Sequence, residues 1–271
     1  MTVRGDVQDA SLVGRVVNEY EIEVVFHLAA QTVVGAAQRS PVGSFDSNVR
    51  GTWVILDAAR TSPSVRAVVV SSSDKAYGEQ PVLPYTESMP LLAQHPYDVS
   101  KACADMLTRS YHSAYGIPTA VTRCGNLYGG GDLNFSRVVP GTIRAAILGS
   151  RPVIRSDGSP VRDYLFVEDA AAACLRLAER LSIDPSIGGQ AFNFSAEEPT
   201  TVSEIANRIL AMMGSELQLD VRDDSEHEIQ RQFLDSTKAR TLLDWVPTKS
   251  SEAALQQTID WYREYFHDFG G

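Results

Sequence analysis

The stretch RAVVVSSSDKAYG, at residues 66–78, joins a run of small apolar residues to a cluster of polar ones. The β-branched residues of its first half are typical of a strand that is buried on both faces of a sheet. The stretches EVVFHLAA at residues 23–30 and TAVTRC at residues 119–124 have the same character. Segments with helical spacing of apolar residues lie between them, from Asn48 to Arg60 and from Pro96 to Tyr115. This alternation predicts an α/β fold with a doubly wound parallel sheet.

Three segments mark the carboxyl ends of the three predicted strands. They are HLAA at residues 27–30, SSSDK at residues 71–75 and RCGN at residues 123–126. In a parallel sheet of this kind, ligands bind beyond the carboxyl ends of the strands. We therefore expect the three segments to lie along one edge of the sheet and to face one crevice.

The composition excludes several classes of protein. The 271 residues carry a net charge of -10, and a general nucleic-acid binder would need a basic surface. The three cysteines, Cys103, Cys124 and Cys174, show no CxxC spacing, so neither a disulfide framework nor a metal site is predicted. The N-terminal stretch MTVRGDVQDA has no apolar signal region, and no run approaches the roughly 20 apolar residues of a membrane span. We expect a cytoplasmic protein that binds neither nucleic acid nor membrane.

Tyr97 and Lys101 form the first candidate catalytic pair. Four residues apart on a predicted helix, they lie on the same face. A nearby ammonium favours the phenolate form of a tyrosine, and a phenolate can take the proton of a sugar hydroxyl while hydride leaves the carbon. Alone the motif is weak, because ten tyrosines and four lysines produce such a pair by chance in roughly one chain of this kind in seven.

Asp74 and Lys75 form a second candidate pair, at the end of the predicted strand. An elimination needs an acid that protonates the departing hydroxyl and a base that removes a proton next to a ketone. A solvated Asp-Lys turn is the alternative, and for an isolated pair it is the more common one. The functional interpretation is favoured because two of the four lysines of the chain fall in these two motifs.

The order and spacing of the motifs resemble the extended short-chain dehydrogenases/reductases, the NAD-dependent epimerases and dehydratases that act on nucleotide sugars. The resemblance covers nearly the whole chain. The matching segments are HLAAQ (27–31), Asn48 with Gly51-Thr52, SSSDKAYG (71–78), PYDVSK (96–101), RCGNLYGGGD (123–132), RDYLFVED (162–169) and LDWVP (243–247).

This resemblance implies roles for individual residues. Ser73, Tyr97 and Lys101 look like the catalytic triad, and Asp74 and Lys75 look like the acid and base of water loss. NAD is the implied cofactor, with NADP less expected. The residues implied to bind the cofactor are Asp6, Val7, Leu28, Ala29, Ala30, Ser71, Tyr97 and Lys101.

Arginines supply positive charge for a substrate diphosphate, since their forked guanidinium groups fit phosphate oxygens. The candidates after the third strand are Arg137, Arg144, Arg155 and Arg162. A surface role is the alternative, and we favour it for Arg144. The resemblance implies that Asn126 and Arg162 contact the diphosphate, with Arg231 as a further candidate.

The Asp74-Lys75 pair resembles that of CDP-glucose 4,6-dehydratases, whereas dTDP-glucose enzymes carry Asp-Glu there and simple 4-epimerases usually lack such a pair. GGGDLNFSRVVP (129–140) also resembles the CDP-glucose branch, while RSDGSPVRDYLFVED (155–169) is closer to epimerases and GDP-mannose dehydratases. The implied activity is a lyase, a 4,6-dehydratase acting on a CDP-, GDP- or dTDP-hexose. It oxidises C4, removes water across C5–C6 and returns hydride to C6. A 4-epimerase and a non-catalytic nucleotide-sugar binder are the alternatives.

Proteins of this family begin with a strand, a GxxGxxG turn and a helix, and the 271 residues contain no such turn. VRGDV at residues 3–7 resembles the third strand of the family. We therefore expect an N-terminally truncated Rossmann-type sheet that lacks its first strands and leaves EVVFHLAA as an exposed apolar edge. Because the glycine turn holds the cofactor pyrophosphate, we also expect weak NAD binding and no turnover from these 271 residues.

After Gly131 the regular alternation of predicted strands and helices gives way to irregular sequence. This change predicts two domains. Residues 1–131 with 162–195 are expected to form the incomplete NAD-binding Rossmann domain. Residues 132–161 with 196–271 are expected to form a smaller α/β substrate-binding lobe. The helices Asn48 to Arg60 and Pro96 to Tyr115 are expected to form a homodimer interface, since the family pairs them into a four-helix bundle and both carry an apolar stripe.

Overall fold

The computed structural model of the chain describes residues 1–224 and 229–269. Its strands are β1 (Val24–His27), β2 (Ala67–Ser71), β3 (Thr119–Cys124), β4 (Asn126–Tyr128), β5 (Val153–Ile154), β6 (Val161–Arg162), β7 (Tyr164–Phe166), β8 (Ala191–Phe194), β9 (Thr200–Thr201), β10 (Asp220–Val221) and β11 (Arg231–Gln232). Its α-helices are α1 (Ala10–Glu19), α2 (Val34–Arg39), α3 (Pro41–Phe45), α4 (Gly51–Arg60), α5 (Pro96–Tyr115), α6 (Val138–Ile147), α7 (Val167–Ile183), α8 (Val202–Met212), α9 (Thr237–Leu243) and α10 (Ser251–Phe269). A π-helical turn spans Asp46–Arg50, and 3-10 turns span Asp74–Tyr77 and Pro185–Ile187.

Strands β1, β2, β3 and β8 form one parallel sheet in that order. Residues 68–70 of β2 are fully buried, as their β-branched side chains predict. Helices α4 and α5 pack against β2, and apolar residues of α1 and α4, including Val17 and Leu56, complete this part of the core. The predicted α/β fold with a parallel sheet is confirmed.

Helix α5 and strand β3 have the bounds that the sequence predicts. Pro96 stands at the first position of the helix, where the missing N–H of proline is not needed. Gly116 ends the helix in the left-handed conformation, with a φ of 68°. Strong local signals at both ends of α5 therefore fix the element that carries Tyr97 and Lys101.

Two predicted stretches differ from the structure. The helix predicted from Asn48 begins as the π-helical turn Asp46–Arg50, and α4 follows it. The stretch from Gly125 to Asp132, where the sequence predicts no strand, contains β4, which pairs in parallel with β7. The sequence did not predict β4 because a strand this short depends on its pairing with residues far along the chain.

Residues 3–7, which resemble the third strand of the family, form no strand in this structure. Asp6 instead shapes a turn. Its carboxylate accepts a hydrogen bond from the backbone N–H of Gln8 at 2.9 Å, and its carbonyl oxygen accepts one from Asp9 at 3.0 Å. The turn leads directly into α1.

Strand β1 lies at one end of the four-stranded sheet. Val24 and Phe26 on this strand are each 36% exposed, and Leu28 just after it is 59% exposed. The predicted apolar edge at residues 23–30 is therefore present in the structure.

The structure divides into two compact units. Unit 1 contains Met1–Cys124, Ala172–Phe194 and Ser236–Trp245, and unit 2 contains Gly125–Ala171, Ser195–Asp235 and the chain from Val246 onward. The chain thus leaves unit 1 directly after β3 and again directly after β8. The core of unit 2 joins apolar side chains of β4, α6, β7, α8 and α10, including Tyr128, Ile143, Phe166, Ile209 and Tyr262.

Within residues 1–224 and 229–269, none of the helices combines the length and apolar character that crossing a membrane requires.

Candidate active site

The end of β2 turns sharply and presents Ser73, Asp74 and Lys75. Ser73 caps the 3-10 turn, because its hydroxyl oxygen accepts a hydrogen bond from Lys75 N at 3.2 Å. The same hydroxyl donates to the Asp74 carboxylate at 2.9 Å. Ser73 and Asp74 are buried, whereas Lys75 is half-buried. One local turn therefore brings together a hydroxyl, a carboxylate and an amine.

Lys101 ties the start of α5 to the end of β2. Its ammonium donates to the carbonyl oxygen of Ser71 at 2.7 Å, and Ser72 Oγ donates to the carbonyl oxygen of Lys101 at 3.1 Å. Burial lowers the pKa of Lys101 to about 8, so its charge is held less firmly than that of a surface lysine. Tyr97, one helical turn earlier, is half-buried and remains accessible.

Asn48 joins the loop after β1 to the same end of α5. Its side chain accepts a hydrogen bond from Gln31 N at 2.6 Å and donates to the carbonyl oxygen of Gln31 at 3.1 Å. It also donates to Ser100 Oγ at 2.8 Å, and Ser100 in turn donates to the carbonyl oxygen of Tyr97 at 2.6 Å. The sequence marks Asn48 as a motif position but does not predict that it fastens this loop beside Tyr97.

His27 is a buried anchor in this network. Thr52 donates its hydroxyl proton to the carbonyl oxygen of Asn48 at 2.6 Å, so Thr52 can only accept from His27 Nε2, 3.1 Å away. The imidazole therefore carries its proton on Nε2. Burial, together with the charge of Lys101, lowers the pKa of His27 to about 4, which keeps the ring neutral at physiological pH.

A buried network holds the far end of the 3-10 turn. Arg123 on β3 makes two hydrogen bonds to the Asp105 carboxylate of α5, at 2.7 and 3.0 Å, and a third to Tyr77 Oη at 2.8 Å. Tyr77 Oη donates to Asn193 Oδ1 on β8 at 2.7 Å. Burial raises the pKa of Tyr77 to about 12, so this phenol stays protonated as a structural donor. The sequence does not predict this network, whose members come from four separate elements.

Asp98, directly after Tyr97, is a further buried acid that the sequence does not single out. It is 4% exposed and lies near Lys75, His95 and Asp74. Burial raises its pKa to about 6, and the charges of Lys75 and His95 oppose that rise.

The residues implied to bind the cofactor also belong to unit 1. Leu28 and Ala29 are exposed, and Ala30 is half-buried, on the loop that Asn48 fastens. Val7 packs against Gly51, where a Cβ would lie 2.7 Å from a Val7 methyl group. A fixed loop beside Tyr97 and Lys101, with an accessible backbone, fits the nicotinamide and ribose end of NAD. Among the described residues, no cluster of His, Cys, Asp and Glu side chains is arranged to hold a metal ion.

The predicted substrate residues Asn126, Arg155, Arg162 and Arg231 all belong to unit 2. Asn126 N donates to the carbonyl oxygen of Asp163 at 2.8 Å, which fixes the start of β4. Arg162 is 3% exposed. Arg231 on β11 pairs with Val161, the residue before Arg162 on β6.

Unit 2 also contains a cavity of about 580 Å³ lined by several arginines. The lining includes Phe135, Arg137, Arg144, Arg151, Arg155, Arg222 and Asp224, but neither Arg162 nor Arg231. Arg137 pairs with Asp132 at 2.9 Å, and Arg144 lies over the ring of Phe135 at 4.8 Å. Within the described residues, the Arg155 side chain makes no hydrogen bond or ion pair, which leaves its guanidinium available to a ligand.

Comparisons with known proteins agree with this geometry. A family model described as GDP-mannose 4,6 dehydratase matches residues 1–258. A trifunctional UDP-glucose 4,6-dehydratase/UDP-4-keto-6-deoxy-D-glucose 3,5-epimerase/UDP-4-keto-L-rhamnose-reductase of Arabidopsis thaliana is 30% identical over 99% of the chain, which spans only 40% of that relative. A UDP-glucose 4-epimerase of Mycolicibacterium smegmatis is 30% identical over 96% of the chain and 82% of the relative.

Among solved structures, DesIV, a dTDP-glucose 4,6-dehydratase from Streptomyces venezuelae with NAD and TYD bound, superimposes with a TM-score of 0.87. It is 28% identical, and the match covers 98% of this chain and 80% of DesIV. The parallel sheet described above is therefore shared with a protein that binds NAD.

Proposed function

Because the chain belongs to the GDP-mannose 4,6-dehydratase family, whose members are NAD-dependent enzymes that modify nucleotide sugars, we propose that it is a nucleotide-sugar 4,6-dehydratase. The observation that carries the proposal is the turn Ser73-Asp74-Lys75 at the end of β2, packed against the helix that bears Tyr97 and Lys101. A 4-epimerase needs only the hydroxyl, the tyrosine and the lysine. An adjacent carboxylate and amine are what water loss requires in addition.

In this reaction, Tyr97 takes the proton of the C4 hydroxyl, and Ser73 turns its hydroxyl proton from the Asp74 carboxylate to the same oxygen and holds it by a hydrogen bond. Lys101 stays close to Tyr97 because its ammonium is fixed to Ser71. NAD, when bound, supplies the acceptor for the C4 hydride and later the donor of that hydride to C6.

Water loss is assigned to the other pair. Once C4 is a ketone, the proton on C5 becomes acidic. Lys75 removes that proton, and Asp74 protonates the hydroxyl that departs from C6. In the free protein, the hydrogen bond from Ser73 to Asp74 places this acid next to the hydroxyl that is proposed to bind the C4 oxygen.

We assign substrate binding to unit 2. Asn126, Arg162 and Arg231 are proposed to contact the diphosphate, and Arg155 to point into the arginine-lined cavity from its rim. Four further guanidinium groups around that cavity favour an anionic ligand of nucleotide size. A CDP-, GDP- or dTDP-hexose meets this requirement. Unit 1, which contains most of the predicted domain 1–131 with 162–195, is correspondingly proposed to serve NAD, and unit 2, which contains most of 132–161 with 196–271, the sugar nucleotide.

A cytoplasmic location is proposed from the chemistry of the cysteines. No disulfide joins Cys103, Cys124 or Cys174, all of which lie in the described part of the chain. Free thiols persist in a reducing compartment.

A homodimer is proposed from the exposed faces of α4 and α5. These two helices pack against each other, yet Trp53 on α4 is 43% exposed and Met106 on α5 is 60% exposed. Large apolar side chains that remain exposed on packed helices favour a further partner.

The test is turnover of defined nucleotide sugars. A version of the protein that carries the family's GxxGxxG turn is incubated with excess NAD and, in turn, CDP-glucose, UDP-glucose, dTDP-glucose and GDP-mannose, and the products are identified by mass spectrometry. A dehydratase yields a 4-keto-6-deoxy product that is lighter by one water, and the Tyr97→Phe variant is the inactive control. Calorimetric titration with NAD separates failure to bind the cofactor from failure of the chemistry.

The second candidate is a 4-epimerase, which the Mycolicibacterium smegmatis relative favours. It would yield a product of unchanged mass with inverted configuration at C4. If that product alone formed from every substrate, the dehydratase assignment would be wrong.

A further inference from the structure

Tyr77 is a fully buried tyrosine at the end of the 3-10 turn that carries Asp74 and Lys75. Its hydroxyl accepts a hydrogen bond from Arg123 Nη1 at 2.8 Å and donates one to Asn193 Oδ1 at 2.7 Å. The guanidinium of Arg123 also lies over the Tyr77 ring, 4.7 Å from the ring centroid. The proposed reaction assigns this side chain no part.

The two partners of the hydroxyl are themselves held in place. Arg123 on β3 makes two hydrogen bonds to the Asp105 carboxylate of α5, at 2.7 and 3.0 Å. Asn193 on β8 is fully buried, and its Nδ2 donates to the carbonyl oxygen of Tyr85 at 2.9 Å. Because β3 and β8 are paired strands, the Tyr77 hydroxyl is bound to two adjacent strands of the parallel sheet.

The carbonyl oxygen of Tyr77 fastens the loop that joins the 3-10 turn to α5. It accepts hydrogen bonds from Leu92 N at 3.1 Å and from Gln80 Nε2 at 2.7 Å. The ring of Tyr85, which belongs to the same loop, packs on the Tyr77 ring with the centroids 5.3 Å apart. Tyr77 therefore holds residues 78–92 as well as the end of the turn.

The helix that carries Tyr97 is held by other contacts. Lys101 donates to the carbonyl oxygen of Ser71, so the start of α5 is bound to β2 without Tyr77. Lys75, in contrast, stands two residues before Tyr77 in the same short turn. A reacting group that is misplaced by about 1 Å can lose about 10²-fold in rate. Loss of the Tyr77 hydroxyl should therefore displace Lys75 and spare Tyr97.

We propose that Tyr77 is a positioning residue for the acid–base pair Asp74 and Lys75, because its hydroxyl, bound by Arg123 and Asn193, anchors their turn to the sheet. The catalytic part of this inference rests on the proposed 4,6-dehydratase function. Its structural part concerns the anchoring of the turn in the free protein and is tested without turnover.

The structural part is tested by hydrogen–deuterium exchange of the 271-residue chain, followed by mass spectrometry. Tyr77→Phe keeps the ring and removes only the hydroxyl. Amide exchange in residues 74–92 should become about 10-fold faster, because a lost buried hydrogen bond makes local opening easier. This acceleration should exceed that in residues 97–115 of α5, which report global stability. Equal acceleration of both segments, or no change in either, would overturn the proposal.

Tyr111→Phe is the matched control for this experiment. It makes the same chemical change on α5, at a half-buried tyrosine that packs against Tyr115 and belongs to no part of the Tyr77 network. Residues 74–92 should exchange in this variant at the wild-type rate.

The catalytic part is tested in a version of the protein that carries the glycine turn. Exchange of the C5 proton with deuterium reports the base, and formation of NADH reports oxidation at C4. In Tyr77→Phe, C5 exchange should fall by about 10- to 100-fold, while oxidation at C4 stays within about twofold of the wild-type rate. Tyr111→Phe should leave both steps unchanged.

An equal loss in both steps would show that the Tyr77 hydroxyl supports the fold as a whole, and the positioning role would then be wrong. Wild-type C5 exchange in Tyr77→Phe would exclude that role as well. If the wild-type protein exchanged no C5 proton with any of the four nucleotide sugars, the dehydratase function would fail instead. Amide exchange would still decide whether the hydroxyl anchors the turn.

Discussion

Lys75 and Tyr97 serve different steps of the proposed reaction, so single substitutions should separate those steps. In a version that carries the glycine turn, Lys75→Ala should lower C5 proton exchange by about 10²- to 10⁴-fold, the usual contribution of a general base, while reversible oxidation at C4 continues. Tyr97→Phe should stop both steps, since it removes the group that accepts the hydroxyl proton. Exchange is followed by NMR in deuterated water, and oxidation by NADH absorbance.

Lys249→Ala is the matched control, because this lysine pairs with Glu168 within unit 2 and belongs to neither candidate catalytic pair. It should leave both steps at the wild-type rate. Normal exchange in Lys75→Ala would show that Lys75 is not the base.

His27 should make the protein less stable in acid. Its pKa is lowered from 6.5 to about 4 in the folded protein, so the unfolded chain binds a proton in this pH window and the folded protein does not. Stability is therefore full above pH 6.5 and is lost as the pH falls towards 4, by about 2–3 kcal/mol at pH 4.5. His27→Gln should reduce that loss, as measured by urea unfolding at pH 7 and pH 4.5.

The loss of stability in acid must be compared between His27→Gln and wild type, because Asp98 changes the stability in the opposite direction. The pKa of Asp98 is raised to about 6 in the folded protein, so Asp98 lowers stability as the pH rises through the range from 3.8 to 6. An equal acid loss in wild type and His27→Gln would mean that the imidazole is charged in the folded protein.

The ion pair between Arg123 on β3 and Asp105 on α5 should show a large coupling free energy in unfolding experiments. Arg123 is 1% exposed and Asp105 is fully buried, so Arg123→Met leaves a buried carboxylate whose remaining ion-pair partner is Arg109, at 4.0 Å. We expect a loss of about 3–5 kcal/mol in the free energy of unfolding. The double variant Arg123→Met/Asp105→Leu should recover much of this loss, because it removes both charges.

Denaturant unfolding of the two single variants and the double variant measures the coupling. Arg60→Met, which breaks an exposed pair with Asp57, is the control and should have little effect. Simple additivity of the two single variants would contradict a direct role for the pair.

The elements that the sequence predicts well are those with signals inside their own residues. Helix α5 has a proline at its start, a glycine at its end and an apolar stripe between them, and it carries Tyr97 and Lys101 at the spacing of one turn. Strand β2 is a continuous apolar run, which also places Ser73, Asp74 and Lys75 at its end. The fold and these catalytic candidates could therefore be predicted.

The remaining parts depend on contacts between distant residues. Strand β4 exists because β7 pairs with it, and the π-helical turn Asp46–Arg50 directs Asn48 towards Gln31 and Ser100. Asp98 looks like any helix residue until the 3-10 turn packs beside it. No local pattern encodes such pairings, so the sequence alone did not indicate a role for the side chain of Asn48 or of Asp98.

Within the molecule as a whole, the candidate residues separate by unit. The hydroxyl, acid and base groups belong to unit 1, and the arginines belong to unit 2. The chain reaches unit 2 from the carboxyl ends of β3 and β8, the same kind of position that carries the Ser73-Asp74-Lys75 turn on β2. Sequence reasoning could locate this edge because ligands of parallel sheets bind beyond it.

The predicted quaternary structure rests on the outer faces of α4 and α5. Trp53 and Met106 remain exposed on two helices that pack together, so we expect a homodimer at micromolar concentration, as measured by sedimentation velocity. Met106→Glu should raise the dissociation constant by about 100-fold or more, because burying one charge on each subunit costs several kcal/mol. Leu175→Glu, on the exposed face of α7, is the matched control and should leave the dimer intact. A wild-type monomer, or a Met106→Glu protein that stays dimeric, would exclude this interface. Since α5 also carries Tyr97 and Lys101, the same samples would show whether the monomer retains C4 oxidation.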